Sequence, residues 1–480
     1  MNRVSSPSWH QVRAEFQNIW GYEDFRSPQG EIIRCLLARK DALVLMPTGG
    51  GKSICFQLPA LLQTGLTLVV SPLVALMENQ VQELREKKLP AALLHSQLTS
   101  PQRREVLQKL EQQKLRLLYL SPETLLSPPV WEKLIQPQLI INAIILDEAH
   151  CLVQWGDSFR SAYRRLGAVR KALLATKPVG TKISVAAFTA TAEPAAQKVI
   201  QEVLELQQPE IFSLNLYRPN LNPRVQVIWT PQARKHKLIK FIQSQKNQSG
   251  LVYVRTRSDS DNLAIWLSEK GLNVSPYHAG LDAEERRKIE SKWLNGTLQF
   301  VVCTNAFGMG INKPDVRWVV HFHPPSLLSE YVQEIGRAGR DGKSADLLML
   351  VSEPTGWLDS GDKQRQEFFS NQIYQQQREA EQLAKKLPKK GEITAVMKQF
   401  PNSANSLSLL HRDGLLKWVD PFNYVMIQGG RKPENIQEHS AKKMRKYFYT
   451  KTCRWQFLLS AFGFEKELGG FCGHCDRCRR

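Results

Sequence analysis

Long apolar runs are absent from this chain of 480 residues; no stretch approaches the ~18 residues that a bilayer-spanning helix needs. A secretory leader is missing as well, because Met1 to Trp20 alternates polar and aromatic residues without an apolar centre. Together these absences predict a cytoplasmic protein (nucleoid-associated if bacterial) with no membrane partner. Acidic residues are the scarce charge. Asp+Glu 45 against Lys+Arg 65 leaves a net charge of +20, a balance that suits a polyanion whose phosphates release counterions on binding. Cysteine is also sparse, and its eight copies are unevenly placed. Cys35, Cys55, Cys151 and Cys303 are scattered through apolar or motif segments as small buried residues, whereas the other four cluster at the end of the chain. In a reducing compartment such a cluster reads as a metal site, not as disulfides. With 42% hydrophobic and 23% charged residues, disordered and fibrous classes are set aside, and the length suits about three domains.

What is present is organised around Met46-Pro47-Thr48-Gly49-Gly50-Gly51-Lys52-Ser53. An apolar strand, Ala42 to Leu45, precedes it and an amphipathic helix, Ser53 to Leu62, follows, which is the context a phosphate-binding loop requires. The glycines let backbone N–H groups turn toward a phosphate chain, and the helix N-terminus adds its positive dipole end. Lys52 then reaches the outer phosphates and the Ser53 hydroxyl holds magnesium. Only Met46 departs from the strict pattern, which has glycine there.

Upstream, Trp20 to Gln29 supplies Gln29, whose amide can both donate to and accept from an adenine edge, and Tyr22 or Arg26, either of which can stack on the base. Downstream, the apolar runs from Thr67, from Leu117 and from Ala143 each end in a polar turn, predicting a parallel sheet with active residues beyond its strand ends. Asp147-Glu148 follows one of these strands directly, so that Asp147 holds magnesium and Glu148 acts as general base on the attacking water. Gln154, Trp155, Phe159, Arg160 and Tyr163 interleave aromatics with polar and basic groups, a pattern suited to sensing single-stranded nucleic acid beside the hydrolysis site. Phe188-Thr189-Ala190-Thr191 places hydroxyls where they can bridge the two functions. Glu202 to Arg224 reads as an interdomain linker. A second alternation of strands follows at Gly250, Phe300 and Trp318, without a second lysine-bearing loop. Arg337 and Arg340, at i and i+3, share one helical face from which an arginine finger can reach a γ-phosphate.

This set of motifs resembles the RecQ family of ATP-dependent DNA helicases from Trp20 to Gly342. The resemblance is carried by Phe25-Arg26 with Gln29, Met46 to Ser53, Ser71-Pro72-Leu73, Asp147 to His150, Gln154 to Tyr163, Thr189 to Ala192, Tyr277 to Leu281, Ala306 to Pro314 and Gln333 to Gly342. It implies two RecA-like lobes with ATP and magnesium between them and 3′ to 5′ translocation on single-stranded DNA. It also implies Gln29 and Arg26 at the adenine and Arg337 and Arg340 at the γ-phosphate. Val254-Arg255-Thr256-Arg257 departs from the Cys-Asn-Ser-Arg common in the family.

Cys453, Cys472, Cys475 and Cys478 form C-x18-C-x2-C-x2-C, which can close a tetrahedral shell around structural zinc. The family carries a similar four-cysteine site, which falls on these same residues, and His474 is a bystander within the knuckle. Lys442, Lys443, Arg445, Lys446, Lys451 and Arg454 are candidates to grip duplex phosphates. The chain stops two residues after Cys478, so no winged-helix or helicase-and-RNase-D domain is expected beyond the zinc site. Ahead of Cys453, a polar Gln-rich helical run reads as a spacer. Beyond Pro388, two short helices and a hairpin about Asp420 to Asn423 make a winged-helix-like outline, either a duplex contact or a brace.

The predicted fold class is therefore α/β, with two tandem RecA-like parallel-sheet lobes followed by a small helical, winged-helix-like insert and a C-terminal zinc-binding module. The boundaries are 1–207 and 208–353 for the lobes, 354–390 for the spacer, 391–430 for the insert and 431–480 for the zinc module. The partners are single-stranded and forked or duplex DNA, and the cofactors ATP, Mg2+ and Zn2+. A DNA-binding protein with a decayed ATPase, and an RNA helicase or translocase, are the competing readings. Intact Lys52, Asp147, Glu148, Arg337 and Arg340 disfavour the first; the aromatic segment and the cysteines disfavour the second.

Overall fold

The structure is a computed structural model that describes residues 7–47, 49–153, 161–307, 311–401, 403–429, 436–465 and 467–479. The chain divides into two compact units, Met1–Leu214 with Gln372–Asn435, and Asn215–Asn371 with Ile436–Arg480. Each is built on a parallel sheet whose strands are short and mostly buried, as expected when crossover helices cover both faces.

In the first unit seven strands run in the order Ala91–Leu94, Leu117–Leu120, Leu66–Val70, Ile141–Leu146, Ser184–Thr189, Ala42–Leu45, Glu210–Ser213. Ala42–Leu45 and Ile141–Leu146 thus stand one strand apart, on either side of Ser184–Thr189. That order brings the phosphate loop and the Asp147-Glu148 turn to the same carboxyl edge of the sheet. The region read as a linker contributes more than a connection. Glu210–Ser213 adds an edge strand to this sheet in register with Ala42–Leu45, because alternating burial in a strand this short leaves little apolar signal.

The second unit has six strands in the order Val274–Tyr277, Phe300–Cys303, Gly250–Tyr253, Trp318–His321, Ala345–Ser352, Leu221–Ile228. The cysteine-bearing segment is part of this unit's interior. Tyr447, Trp455, Leu458, Cys453 and Cys475 share one buried apolar cluster with sheet residues such as Leu221, Tyr253 and Val319, and the Trp455 indole N–H donates to Leu221 O at 3.1 Å. Arg454 is wholly buried and bonds Asp476 through Nε at 2.9 Å and Nη2 at 3.0 Å. It therefore ties the knuckle to its helix and is not a phosphate grip, a correction that basic composition alone did not reveal.

The winged-helix-like outline is present within the first unit. Strands Lys390–Glu392, Asn423–Met426 and Leu416–Trp418 form an antiparallel sheet in that order, with helices Ile393–Gln399 and Ser403–Arg412 between the first and second in sequence. The run read as a spacer belongs partly to this core. Helix Gly361–Ala384 supplies Ala380 and Leu383 to the cluster formed by Ile393, Leu407, Leu410, Trp418 and Tyr424. Among the described residues no helix is long and apolar enough to cross a membrane.

Gly250 faces Trp318 across adjacent strands, and a Cβ there would lie 2.0 Å from Trp318 Cε2. Gly250→Ala is expected to destabilise the second unit by about 1–3 kcal/mol through overpacking, read as a lower thermal transition that Trp318→Leu partly restores in the double variant.

Candidate nucleotide and zinc sites

Beyond the strand Ala42–Leu45 the chain turns through the glycines into helix Lys52–Leu62. Gly51 caps that helix at φ +76°, and a Cβ there would approach Gln29 Nε2 to 2.3 Å. Both backbone angle and space therefore demand glycine. Gln29 is buried. Its amide nitrogen donates to Gly50 O at 3.2 Å, and its Oε1 accepts from the Arg26 N–H at 3.0 Å. Gln29 thus ties the turn at Arg26 to the glycine loop, while Tyr22 and Arg26 are exposed. The Lys52 ammonium is buried yet meets no hydrogen-bond acceptor among the described residues. A buried cation at a helix N-terminus is an arrangement that an anion would relieve. Ser53 is partly buried one residue into the helix, Gly49 and Gly50 lie in the loop, and Thr48 is outside the described residues.

Asp147 N–H continues the sheet by donating to Val70 O at 2.9 Å, and the Asp147 carboxylate accepts from the Glu148 N–H at 3.0 Å. Burial, followed by the charge of Glu148, pushes the Asp147 carboxyl up to about 6, against the opposing pull of Lys52 and a hydrogen bond from Gln80. Glu148 adopts φ 52°, a left-handed backbone rare for a branched-free but bulky residue and characteristic of sites held by their surroundings. Its Oε2 lies 3.1 Å from His150 Nδ1, which is also 3.1 Å from Thr189 Oγ1. The central strand between the two functional turns therefore ends in a hydroxyl that reaches the histidine next to the candidate base.

In the second unit Arg337 is buried, and its charge acts on the buried Tyr253 hydroxyl. Arg340 Nη1 donates to Ile311 O at 3.1 Å and Asn312 Oδ1 at 2.8 Å. Burial, then repulsion from Arg337 and Arg218, lowers Arg340 to about 10. Crowded guanidinium groups of this kind gain from an anionic partner. In the same unit, the sulfurs of Cys453, Cys472, Cys475 and Cys478 lie within 4.8 Å of one another. The Cys475 sulfur is 3.9 Å from Cys453 and 3.5 Å from Cys478, and Cys472 is 3.8 Å from Cys478. Zinc–sulfur bonds of ~2.3 Å in a tetrahedron place sulfurs ~3.8 Å apart, so the set fits that ion. His474 stands aside, its Nε2 3.1 Å from the Tyr217 hydroxyl.

Comparison with known proteins matches DEAD/DEAH box helicase to residues 26–199, helicase conserved C-terminal domain to 233–342 and RecQ zinc-binding to 422–479. A Synechocystis protein named ATP-dependent DNA helicase RecQ is 53% identical over 465 residues, 96% of this chain and 97% of that relative. The chain belongs to the RecQ family of DNA helicases. Of the RecQ protein of Pasteurella multocida, 38% identical over 342 residues, the chain spans about half, 52%; of Bacillus subtilis RecS, described as a probable ATP-dependent DNA helicase and 39% identical, it spans 65%. The structure of Mycobacterium smegmatis helicase Lhr bound to ssDNA and AMP-PNP has a TM-score of 0.58 at 16% identity, covering 90% of this chain and 61% of that one. At that identity the likeness shows the fold of the RecQ chain alone.

Other sequence-derived candidates fare differently in this RecQ chain. Gln154, Trp155, Phe159 and Arg160 lie outside the described residues. Tyr163 is wholly buried, so its ring is not available to stack on a base; interleaved aromatics look alike in a binding face and in a core. Gln80 went unrecognised, although a polar residue between Met77 and Leu84 on the buried stripe of helix Val74–Glu86 was a usable signal. Arg255, at the departure from the family pattern, was also underrated. It makes a bidentate pair with Glu334, Nη1 to Oε1 at 3.0 Å and Nη2 to Oε2 at 2.9 Å, and His321 Nε2 lies 2.8 Å from the same carboxylate. Glu334 belongs to helix Leu328–Ile335, which leads directly into Arg337.

Burial alone would raise the Glu334 carboxyl, but Arg255 and then His321 hold it down to about 2. A depressed carboxylate stabilises the fold above its unfolded value and loses that contribution as pH falls toward its folded one. Stability from Glu334 should thus be complete above about pH 4.5 and lost toward pH 2, about 3 kcal/mol in all. Glu334→Gln is expected to lower the urea midpoint at pH 7 and to flatten the acid limb of the stability curve.

Proposed function

We propose that this chain couples hydrolysis of magnesium-bound ATP to 3′ to 5′ translocation on single-stranded DNA and to unwinding of forked duplexes in recombination, repair and replication. The observation that carries the nucleotide half is the buried Lys52 ammonium, which has no acceptor among the described residues and is set at the end of a glycine loop and opposed to Asp147. The net charge of +20 supports the DNA half.

In this reading Lys52 and the loop N–H groups of Thr48 to Gly51 bind the phosphates, while Tyr22, Arg26 and Gln29 take the base. Magnesium bound with ATP would neutralise charge on the phosphates, and Ser53 and Asp147 are the residues to hold it. Glu148 accepts the proton of the attacking water as oxygen bonds to the γ-phosphorus and the bond to the β-phosphate oxygen breaks. Its left-handed backbone and its contact with His150 fix the carboxylate for that task. Arg337 and Arg340 oppose the charge that develops on the transferred group, and Glu334, through Arg255, holds the helix that leads to them. Gln154, Trp155, Phe159 and Arg160 sense single-stranded DNA. Zinc held by Cys453, Cys472, Cys475 and Cys478 is structural, because four protein ligands leave no position for water.

Strand displacement should occur on duplexes with a 3′ single-stranded tail in the presence of ATP, and unwinding from a 5′ tail alone would reject the polarity. Lys52→Ala and Glu148→Gln should each lower DNA-stimulated ATP turnover by at least about 100-fold. Glu148→Gln should leave nucleotide binding in place, as measured by fluorescence of a labelled nucleotide. Metal analysis of the purified chain should give one zinc per molecule, falling in Cys475→Ser together with thermal stability.

A further inference from the structure

The winged-helix segment lies mainly within residues 343–421, between the second and third family matches, so its role has to be read from its contacts. A winged helix that reads duplex DNA keeps the outer face of its second helix and its hairpin tip free for the groove and backbone. Neither is free here. Helix Ser403–Arg412 has Leu407 and Leu410 in the segment's own core, while Ser408, on another face and 1% exposed, donates through Oγ to Ser161 O at 2.9 Å. At the hairpin tip, Pro421 O accepts from Arg165 Nη1 at 3.3 Å. The Phe422 ring meets Trp131 edge-on, centroids 5.2 Å apart at 75°. Ala168 joins the segment's apolar cluster, and buried Arg164 sits within the fields of Arg412 and Asp413. Asp413 is held in turn by Gln377 Nε2 at 2.6 Å. Every one of these lobe contacts except Trp131 falls within residues 161–168.

That stretch directly follows Gln154 to Arg160 in the chain, and on the other side of those residues the turn Ala149–Leu152 leads back to Glu148 and His150. We infer that the winged-helix segment is an internal platform that anchors the far end of the DNA-sensing stretch, so that strain imposed by bound DNA is relieved at Glu148 and not dissipated at Ser161–Arg165. This rests on the DNA-sensing role proposed above for Gln154, Trp155, Phe159 and Arg160. It assigns the segment to coupling, and Ser408, Phe422 and Arg165 are positioning residues.

The test compares ATP turnover with and without single-stranded DNA, together with forked-duplex affinity without nucleotide, for the full chain and its Ser408→Val, Phe422→Ala and Phe422→Leu variants, with Trp155→Ala as reference. Basal turnover should stay within about twofold, while the DNA-stimulated rate falls about fivefold or more in Ser408→Val and Phe422→Ala and partly recovers in Phe422→Leu. Hydrogen exchange at residues 161–166 should quicken in the same order, which separates loosening of the anchor from loss of fold. Unchanged stimulation alongside faster exchange, with Trp155→Ala still abolishing stimulation, would overturn the platform. So would forked-duplex affinity falling with the stimulation ratio preserved, because the segment would then be a DNA contact. If Trp155→Ala left stimulation intact, the sensing role itself would be lost, and the platform with it.

Discussion

Parallel strands joined by crossover helices can expose functional groups only where the strands stop, and that constraint governs both units. Buried on both faces, strands such as Ala42–Leu45 and Ile141–Leu146 carry no usable side chain along their length. Their functional residues come where the strands end: the glycine loop beyond Leu45, Asp147 directly after Leu146, and Thr189 as the last residue of its strand. Sheet order then decides which of these meet. With Ser184–Thr189 between the other two strands, Lys52 can act on Asp147 while Thr189 reaches His150.

The second unit uses the same edge for a different purpose. Arg255, just beyond the strand Gly250–Tyr253, and His321, ending the strand Trp318–His321, both converge on Glu334. Tyr253 stacks on His321, centroids 5.4 Å apart, and lies in the field of Arg337. Desolvating so many charges is tolerable only when each has a partner of fixed geometry. A bidentate guanidinium supplies such geometry where an asparagine could not. The linker residue Arg218 adds a bond to Gly336 O at 3.2 Å, and its neighbour Tyr217 packs on Trp455. The arginine-bearing loop and the cysteine knuckle are thereby braced by one short stretch of chain.

Much of this was legible because phosphate chemistry restricts residue type and spacing together. The glycine loop, Asp147-Glu148, the paired arginines and the four cysteines stand at fixed intervals in the chain, and the strand Ala42–Leu45 was read with its observed bounds. The half-exposed strand Glu210–Ser213 and the mostly buried strand Leu221–Ile228, which carries Asn222, Pro223, Arg224 and Gln226 among its apolar residues, were not, since both resemble a polar linker in sequence. Tyr163 and Arg454 were misplaced for a related reason. A stacking aromatic and a core aromatic, or a phosphate-binding arginine and a buried one, have identical local sequence, and only their surroundings separate them.

By itself, then, the sequence determined the chemistry: a phosphate loop, a carboxylate pair, arginines of a second lobe and a thiolate cluster, because those functions are carried by residues close together along the chain. Tertiary structure alone decided which groups are partners. The winged-helix segment seats on residues 161–168, from which it is separated by more than 200 positions. Glu334 is claimed by Arg255, and the Gln29 amide nitrogen by the backbone of the glycine loop. Such contacts depend on strand order and on what the apolar faces bury, and no spacing within the chain encodes them.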